Sequence, residues 1–489
     1  MNTSIVKSIC IVGGGSAAWL AAAYISNMSQ NLSVTIIDKE VGNPIGVGEA
    51  TILGFRDFMK DCGFDFNDWF ENADATYKAG IFYPNWISKG NSIWHPFFMN
   101  PILEDGVDLC SAWSKNQHYD FKTYGLPLFD TAVNKNKIDS SIIDSYSFHV
   151  DCGKLVQYIQ KRIADRVTFI ASDVVDIVKE NNNVKQLTLA SGKSVSFDFY
   201  IDCTGFKSLL RGEGNRQSLK DRLFCDTAVA GPVQYIDRPK ELVPYTRAEA
   251  VDHGWIWTTP TKSRIGSGLV FNKEVTSIEE AKNYFVNYWG KDRVNKDNLR
   301  VIDWSPYYNS EPWAGNVVAI GLSAGFIEPL ESTGLALILS QTIMLFNSVK
   351  DNTFSQNEID RYNAEYSSIF ENCVDFVSMH YSKTDRTETF WQFVKKHYKE
   401  TEGIRLQRTL LKDSVRYAKD KKPFHIFSGS NWTTWMVQLG EDINTKFNLS
   451  QEQAEHMMLK YHNVIEKYRF NWSQDHECEI NRMHELYNS

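Results

Sequence analysis

The chain has 489 residues, 43% apolar and 23% charged, a globular balance that excludes a largely disordered protein and suffices for a sizeable core. Its 52 Lys and Arg against 60 Asp and Glu give a formal charge of −8, which argues against a scaffold held on nucleic acid by backbone charge. Eight scattered cysteines without a Cys-x-x-Cys pair read as reduced cytoplasmic thiols, so neither a disulfide framework nor a metal is expected.

The first predicted element is a short apolar strand, Ser8 to Val12. Gly13-Gly14-Gly15-Ser16-Ala17-Ala18 follows and opens a helix predicted over Trp19 to Asn27. This is G-x-G-x-x-A, an accepted form of the dinucleotide fingerprint. Gly13 permits a tight turn, Gly15 leaves the backbone bare for a pyrophosphate, and Ala18 is small enough for the helix to pack on the strand. The helix N-terminus offers unpaired N–H groups and the positive end of its dipole to phosphates. A second strand, Val34 to Ile37, leads to Asp38, twenty residues beyond Ala18, where a ribose-binding acid belongs, with Lys39 beside it. Lys7 and the apolar stretch Ile9 to Ile25 superficially resemble a signal peptide, but the glycines interrupt it early and a strand follows, so the segment reads as folded structure.

Residues 51 to about 300 mix short aromatic strands with a few helices, punctuated by turn signals at Lys89-Gly90-Asn91 and Ser191-Gly192-Lys193. From about residue 334 the pattern becomes mostly helical, with amphipathic segments Glu358 to Phe376 and Gln451 to Tyr468. Lys419-Asp420-Lys421-Lys422 is too short for a polybasic arm and reads as a solvated helix end. No apolar run approaches the length of a membrane span, and no membrane partner is expected. No Pro/Ser-rich linker separates the blocks, which predicts interleaved segments.

Two further segments resemble those of two-domain flavoproteins, and this resemblance selects FAD as the nucleotide. Asp198-Phe199-Tyr200-Ile201-Asp202-Cys203-Thr204-Gly205 looks like their second strand, acid and glycine, and Asn316 to Leu322 looks like the strand that delivers the chain to the flavin ribityl. Hydroxylases of this kind carry an Asp where Leu322 stands. Asp173-Val174-Val175 resembles the adenine-side contact. The implied fold is α/β, a two-domain FAD-dependent monooxygenase-like architecture: a Rossmann-type FAD domain, an interleaved mixed β-sheet substrate region and a C-terminal helical region. The expected division is an FAD-binding body over residues 1–345, with substrate-side segments at about 52–150 and 220–300, and a mainly helical substrate-capping region over 346–489.

Five separated segments resemble the flavin-dependent halogenases of the tryptophan-halogenase type. They are the fingerprint, Ile45-Gly46-Val47-Gly48-Glu49-Ala50-Thr51, Tyr77-Lys78-Ala79-Gly80, Gly254-Trp255-Ile256-Trp257-Thr258-Thr259-Pro260, and Phe326-Ile327-Glu328-Pro329-Leu330-Glu331-Ser332-Thr333-Gly334. Weaker similarity continues from His380-Tyr381 through Phe390-Trp391. The resemblance implies an enzyme that uses reduced FAD, dioxygen and chloride or bromide to make hypohalous acid, passed to Lys78 for electrophilic halogenation of an electron-rich arene such as an indole. Lys78 either hydrogen-bonds the hypohalous acid or forms a haloamine. Glu331 stabilises the arenium cation and accepts its proton.

The resemblance also implies that Glu49, Ala50, Val174, Leu322 and Leu335 contact the cofactor together with the fingerprint residues. Trp255 and Trp257 project from one face of a strand and keep the arene from the flavin; Thr259 replaces the family's Ile. A halide is best held by backbone N–H groups at a helix start, here those of Thr333 and Gly334, before the apolar run Leu335 to Phe346. Capping by Ser332 or Thr333 can coexist with that role. His95 and Phe97 fall on the substrate side, as do Trp432 and Trp435, although His95 equally reads as a satisfied core histidine. Trp432 and Thr433 stand where free-tryptophan enzymes commonly show paired tyrosines, which favours a less polar indole. No second nucleotide fingerprint is visible, so a separate flavin reductase is the expected partner. The alternatives are a flavin-dependent aromatic hydroxylase or other oxidoreductase of the same fold, and a non-catalytic flavin-binding protein.

Overall fold

The structure, a computed structural model, describes residues 4–39, 48–97, 109–351, 353–413, 425–441 and 449–488. Ile45-Gly46-Val47 and the basic stretch 419–422 lie outside the described residues. The chain forms two compact units, each assembled from three separated stretches: Met1–Ala75, Val150–Lys220 and Ser305–Glu371 make the first, and Thr76–His149, Asp221–Trp304 and Asn372–Ser489 the second.

The first unit is built on a six-stranded sheet. Its strands lie in the order Val167–Ala171, Ser33–Asp38, Ser8–Val12, Phe199–Asp202, Val317–Ala319 and Trp313–Ala314. The first five are parallel, and the last pairs antiparallel. Central parallel strands are covered on both faces and so read as continuous apolar runs. Accordingly Ile9, Cys10, Ile11 and Val12 are all buried, as are Phe199, Tyr200 and Ile201. Helix Ser16–Met28 connects the first two strands in sequence and packs against helix Thr333–Val349. It starts three residues before its predicted start. The small residues Ser16 and Ala17 already adopt the helical turn directly after Gly15, whereas apolar periodicity becomes visible only at the bulky Trp19. A small antiparallel sheet, Val174–Glu180, Asn183–Leu189 and Ser194–Val195, turns Val184, Leu187 and Leu189 onto Cys10, Val12, Ile37 and Tyr200.

The second unit contains a seven-stranded sheet in the order Arg300–Asp303, Thr227–Val233, Ile265–Phe271, Gly254–Pro260, Thr246–Val251, Gly80–Pro84 and Ser92–Pro96. All neighbours are antiparallel except Thr246–Val251 with Gly80–Pro84. Helix Ile278–Trp289, held by a capping box between Ser277 and Glu280, covers one face; its Phe285 and Val286 join Val229, Ile256 and Leu269 in a common core. The turn predicted at Lys89-Gly90-Asn91 joins Gly80–Pro84 to Ser92–Pro96, with Gly90 at φ 85°. A separate short strand, Thr76–Lys78, pairs antiparallel with Ser147–Val150, Thr76 opposite His149 and Lys78 opposite Ser147.

The late part of the chain is helical, as its periodicity predicts. The two amphipathic segments fall within helices Gln356–His380 and Gln451–Trp472, and Thr389–His397, Glu402–Asp413, Gly429–Gln438 and His476–Asn488 complete the series. Among the described residues no helix is long and apolar enough to cross a membrane.

Candidate active site

In the first unit the fingerprint makes a cradle. Gly13 has φ 118°, and a Cβ there would stand 2.3 Å from the Cys203 carbonyl oxygen, so the turn admits glycine alone. A Cβ on Gly15 would meet nothing within 4 Å. The helix that starts at Ser16 has no side-chain cap and no acid in its first turn. Ser16 and Ala17 are partly exposed although Ala18 and the following turns are buried. Open space in front of uncapped helix amides suits an anionic pyrophosphate. The residues present therefore fit a dinucleotide such as FAD.

Asp38 ends its strand and accepts a hydrogen bond from the Lys39 N–H at 2.7 Å; Lys39 is exposed. Glu49-Ala50 forms a half-buried two-residue strand, and burial raises the Glu49 carboxyl above its ordinary range. Val174 opens its strand half-buried, Leu322 lies half-buried in the turn Gly321–Ser323, and Leu335 is buried. Gly321 (φ 68°) leaves 2.9 Å between its missing Cβ and the Ala17 methyl, which brings this turn against the fingerprint helix. The buried Asp202 carboxylate accepts from the N–H groups of Thr204, Leu210 and Arg211 and from the hydroxyls of Thr204 and Ser323. It thereby ties the chain after Phe199–Asp202 to the Gly321–Ser323 turn.

Pro329–Glu331 is a single helical turn, Glu331 is 2% exposed, and Ser332 adopts the left-handed conformation at φ 59°. Thr333 and Gly334 are not a prelude to the next helix, as predicted, but its first residues. The left-handed Ser332 ends one turn and starts the next without an intervening loop. Ser332 makes no side-chain cap bond, and among the described residues the buried Thr333 hydroxyl has no hydrogen-bond partner. A Cβ on Gly334 would meet nothing within 4 Å. Successive N–H groups around a left-handed residue can form an anion-binding concavity.

In the second unit Lys78 is fully buried, and its Nζ lies 5.1 Å from the centroid of the Phe97 ring. Thr76, on the same strand face, donates its hydroxyl to the Pro260 carbonyl at 2.6 Å. The end of the Gly254–Pro260 strand is thus bonded to the strand that carries Lys78. With its proton committed to Pro260, the Thr76 oxygen accepts from His149 Nδ1–H at 3.0 Å, and His149 Nε2 accepts from the Thr246 hydroxyl at 3.0 Å. Burial, then the charge of Lys78, holds the His149 imidazole well below its ordinary pKa, hence neutral.

Trp255 and Trp257 do share a face, with ring centroids 6.3 Å apart, and both are buried. Trp257 lies over Gly268 of the neighbouring strand, where a Cβ would stand 2.1 Å from the indole. Among the described residues the Trp255 indole N–H has no hydrogen-bond partner, and Thr259 is buried.

His95 and Phe97 lie at the end of Ser92–Pro96. The Asn431 amide oxygen is taken by the Ser428 N–H and hydroxyl, so its nitrogen donates to His95 Nε2 at 3.0 Å. His95 packs on Phe376 and Trp435. Trp435 is fully enclosed, against His380 at 3.7 Å between ring centroids and Tyr83 at 4.8 Å. It occupies a packing position in the core of this unit. Trp432 is buried edge-on to Phe376, and among the described residues its indole N–H has no hydrogen-bond partner. Sequence reasoning missed Thr76, His149, Thr246 and Asn431. A lone His inside Ser147–Val150 carries no spacing signal, whereas Thr76 stood two residues from Lys78 and Asn431 beside Trp432.

The family model described as tryptophan halogenase matches residues 8–452. The chain belongs to the tryptophan halogenase family. It is an enzyme of the flavin-dependent halogenase class. Tryptophan 6-halogenase ThaL of Streptomyces albogriseolus is 28% identical over 422 residues, 79% of this chain and 78% of that one. BrvH, a flavin-dependent halogenase from Brevundimonas sp. BAL3, is 26% identical and superposes with a TM-score of 0.85 over 98% of this chain and 99% of that one. A flavin-dependent halogenase from Xanthomonas campestris reaches a TM-score of 0.90 over 98% of both chains at 23% identity, a likeness of fold alone. The tryptophan halogenase match ends before helix His476–Asn488.

Proposed function

We propose that this tryptophan halogenase family member works as a two-component halogenase on a free, weakly polar indole or related arene. The observation that carries the reading is Lys78, an ammonium group wholly removed from solvent against an aromatic face. Burying a cation is costly, and a buried ionisable group among site motifs is a candidate for chemistry. Bound FAD, delivered reduced by a separate flavin reductase, supplies hypohalous acid from dioxygen and a chloride or bromide ion.

The chain's own residues do the rest. Gly13, Gly15, Ser16, Ala17 and Ala18 hold the pyrophosphate, and Asp38 with Lys39 the ribose side. Glu49, Ala50, Val174, Leu322 and Leu335 complete the cofactor contacts. The amides of Thr333 and Gly334, with the Thr333 hydroxyl, hold the halide. Trp255 and Trp257 keep the arene from the cofactor. Lys78 holds the hypohalous acid, or carries its halogen as a haloamine, and presents it to the ring. The ring carbon forms its bond to halogen as the halogen–oxygen bond breaks, in the hydrogen-bonded form, and the departing hydroxide takes a proton to become water. The Glu331 carboxylate stabilises the cationic ring and removes the proton from the substituted carbon. Phe97, His95 and Trp432 position the substrate, and Trp435 supports His95. A hydrophobic Trp432 in place of a tyrosine pair favours plain indole over a zwitterion.

The test combines the protein with FAD, a flavin reductase, NADH, oxygen, indole and bromide, with products read by mass spectrometry. Bromoindole that requires both bromide and reductase supports the reading. A hydroxylated product independent of halide, or no turnover with FAD bound, overturns it.

A further inference from the structure

Among the described residues the strand that carries Lys78 pairs on one side only, with Ser147–Val150. The other edge of a strand presents N–H groups that need partners when buried. Here the N–H groups on either side of Lys78 in sequence find them outside the sheet. The Ala79 N–H donates to the Pro244 carbonyl at 2.8 Å, and the Tyr77 N–H donates to His476 Nε2 at 3.2 Å. His476 Nδ1–H in turn donates to the Leu242 carbonyl at 3.0 Å. One imidazole thus closes a bridge from the loop before Thr246–Val251 to the strand edge, and it arrives from 399 residues along the chain.

We infer that His476 is a positioning residue for Lys78, fixing the edge of its strand so that the ammonium keeps one direction. Both ring nitrogens are committed, Nδ1 as donor and Nε2 as acceptor, so the bridge exists only with a neutral imidazole. Complete burial, foremost, holds its pKa down to about 4 and keeps the Nε2 lone pair available. Its helix is anchored independently, by the Arg238–Glu477 ion pair and by pairing of Ser473–Asp475 with Lys137–Asp139. His476 lies beyond residue 452, where the family match ends, so the support is supplied by a part of the chain that the motifs do not reach. A strand edge released at Tyr77 lets the Lys78 side chain sample other directions, and small misplacements of a catalytic group cost large factors in rate.

This inference rests on the assignment of halogen transfer to Lys78. Its test uses the full-length protein with FAD, a flavin reductase, bromide and indole. His476→Phe keeps an aromatic ring of similar size and removes both hydrogen bonds. The expected result is a kcat for bromoindole at least tenfold lower, with the KM for indole and the affinity for FAD within twofold of the parent. His476→Gln, whose amide both donates and accepts, is expected to recover most of that loss. Glu477→Gln loosens the same helix without touching the bridge and is expected to keep kcat within twofold.

Unchanged kcat in H476F overturns the inference. So does an equal loss in E477Q, or a loss of kcat in H476F accompanied by weakened FAD binding and raised KM, since each is the mark of general destabilisation. If H476F does not fold, His476→Asn, too short to reach both partners, decides: with the melting temperature unchanged, a kcat at least tenfold lower that H476Q recovers supports the inference, and any smaller loss overturns it. Lys78→Ala that still brominates indole removes the assignment beneath the inference, whereas an inactive K78A beside a fully active H476F removes only the role of His476.

Discussion

The Lys78 ammonium stands 5.1 Å from the centre of the Phe97 ring, in a strand where no part of the lysine reaches solvent. A cation over a ring face is attracted by the quadrupole, by about 2 kcal/mol when the pair is desolvated. In the proposed function the same ring is a wall for the arene substrate. Lys78→Ala is expected to abolish halogenation while FAD binding and reductase-driven oxygen consumption persist. Product mass spectrometry beside an oxygen electrode reads both quantities, and loss of FAD binding would show that the residue is misassigned.

Phe97→Leu removes the ring and preserves an apolar contact. It is expected to lower bromoindole formation by about tenfold, the factor that corresponds to roughly 1.4 kcal/mol. Steady-state kinetics with indole checks this, and an unchanged kcat/KM would remove Phe97 from the site.

Glu331 sits at the end of the turn Pro329–Glu331, directly before the left-handed Ser332. Glu331→Gln keeps the shape and removes the base. A slowing of about a hundredfold is expected, in the range of general-base contributions, with FAD titrations unchanged. A rate within threefold of the parent would end its assignment.

Two glycines of the fingerprint separate fold from cofactor. Gly13→Ala forces a Cβ to within 2.3 Å of the Cys203 carbonyl at a φ of 118°, so the protein without FAD is expected to melt several degrees lower. Gly15→Val meets no protein atom at its Cβ. It is expected to leave the FAD-free melting temperature nearly unchanged and to weaken FAD by tenfold or more. Thermal melts with and without FAD distinguish the pair.

Acid is expected to destabilise the second unit through its buried histidines. His476 is held at about 4, below the ordinary 6.5. Between those values the unfolded chain binds a proton that the folded one does not, so stability rises with pH through this window and is lost as pH falls from 6.5 towards 4. The full span is on the order of 3 kcal/mol. His149, also depressed, acts in the same direction. Melting temperature against pH should therefore fall more steeply in the parent than in H476Q, and parallel curves would refute the assignment.

Sequence by itself determined the local devices of this protein. The fingerprint, its strands and Asp38 were legible because turn chemistry and burial on both faces act between neighbours in the chain. The shared face of Trp255 and Trp257 follows from the two-residue repeat of any strand. Only the tertiary structure decided what holds Lys78 in place: Pro260 through Thr76, His149 opposite it, and His476 at the strand edge. It also decided that Trp435 packs against His95, and that among the described residues the hydroxyl of Thr333 finds no partner. Such pairings join residues 73 to 399 positions apart. A hydrogen bond between distant segments requires only one donor and one acceptor at the meeting point, so it leaves no period or spacing in the chain, and it exists only once the intervening strands and helices have packed.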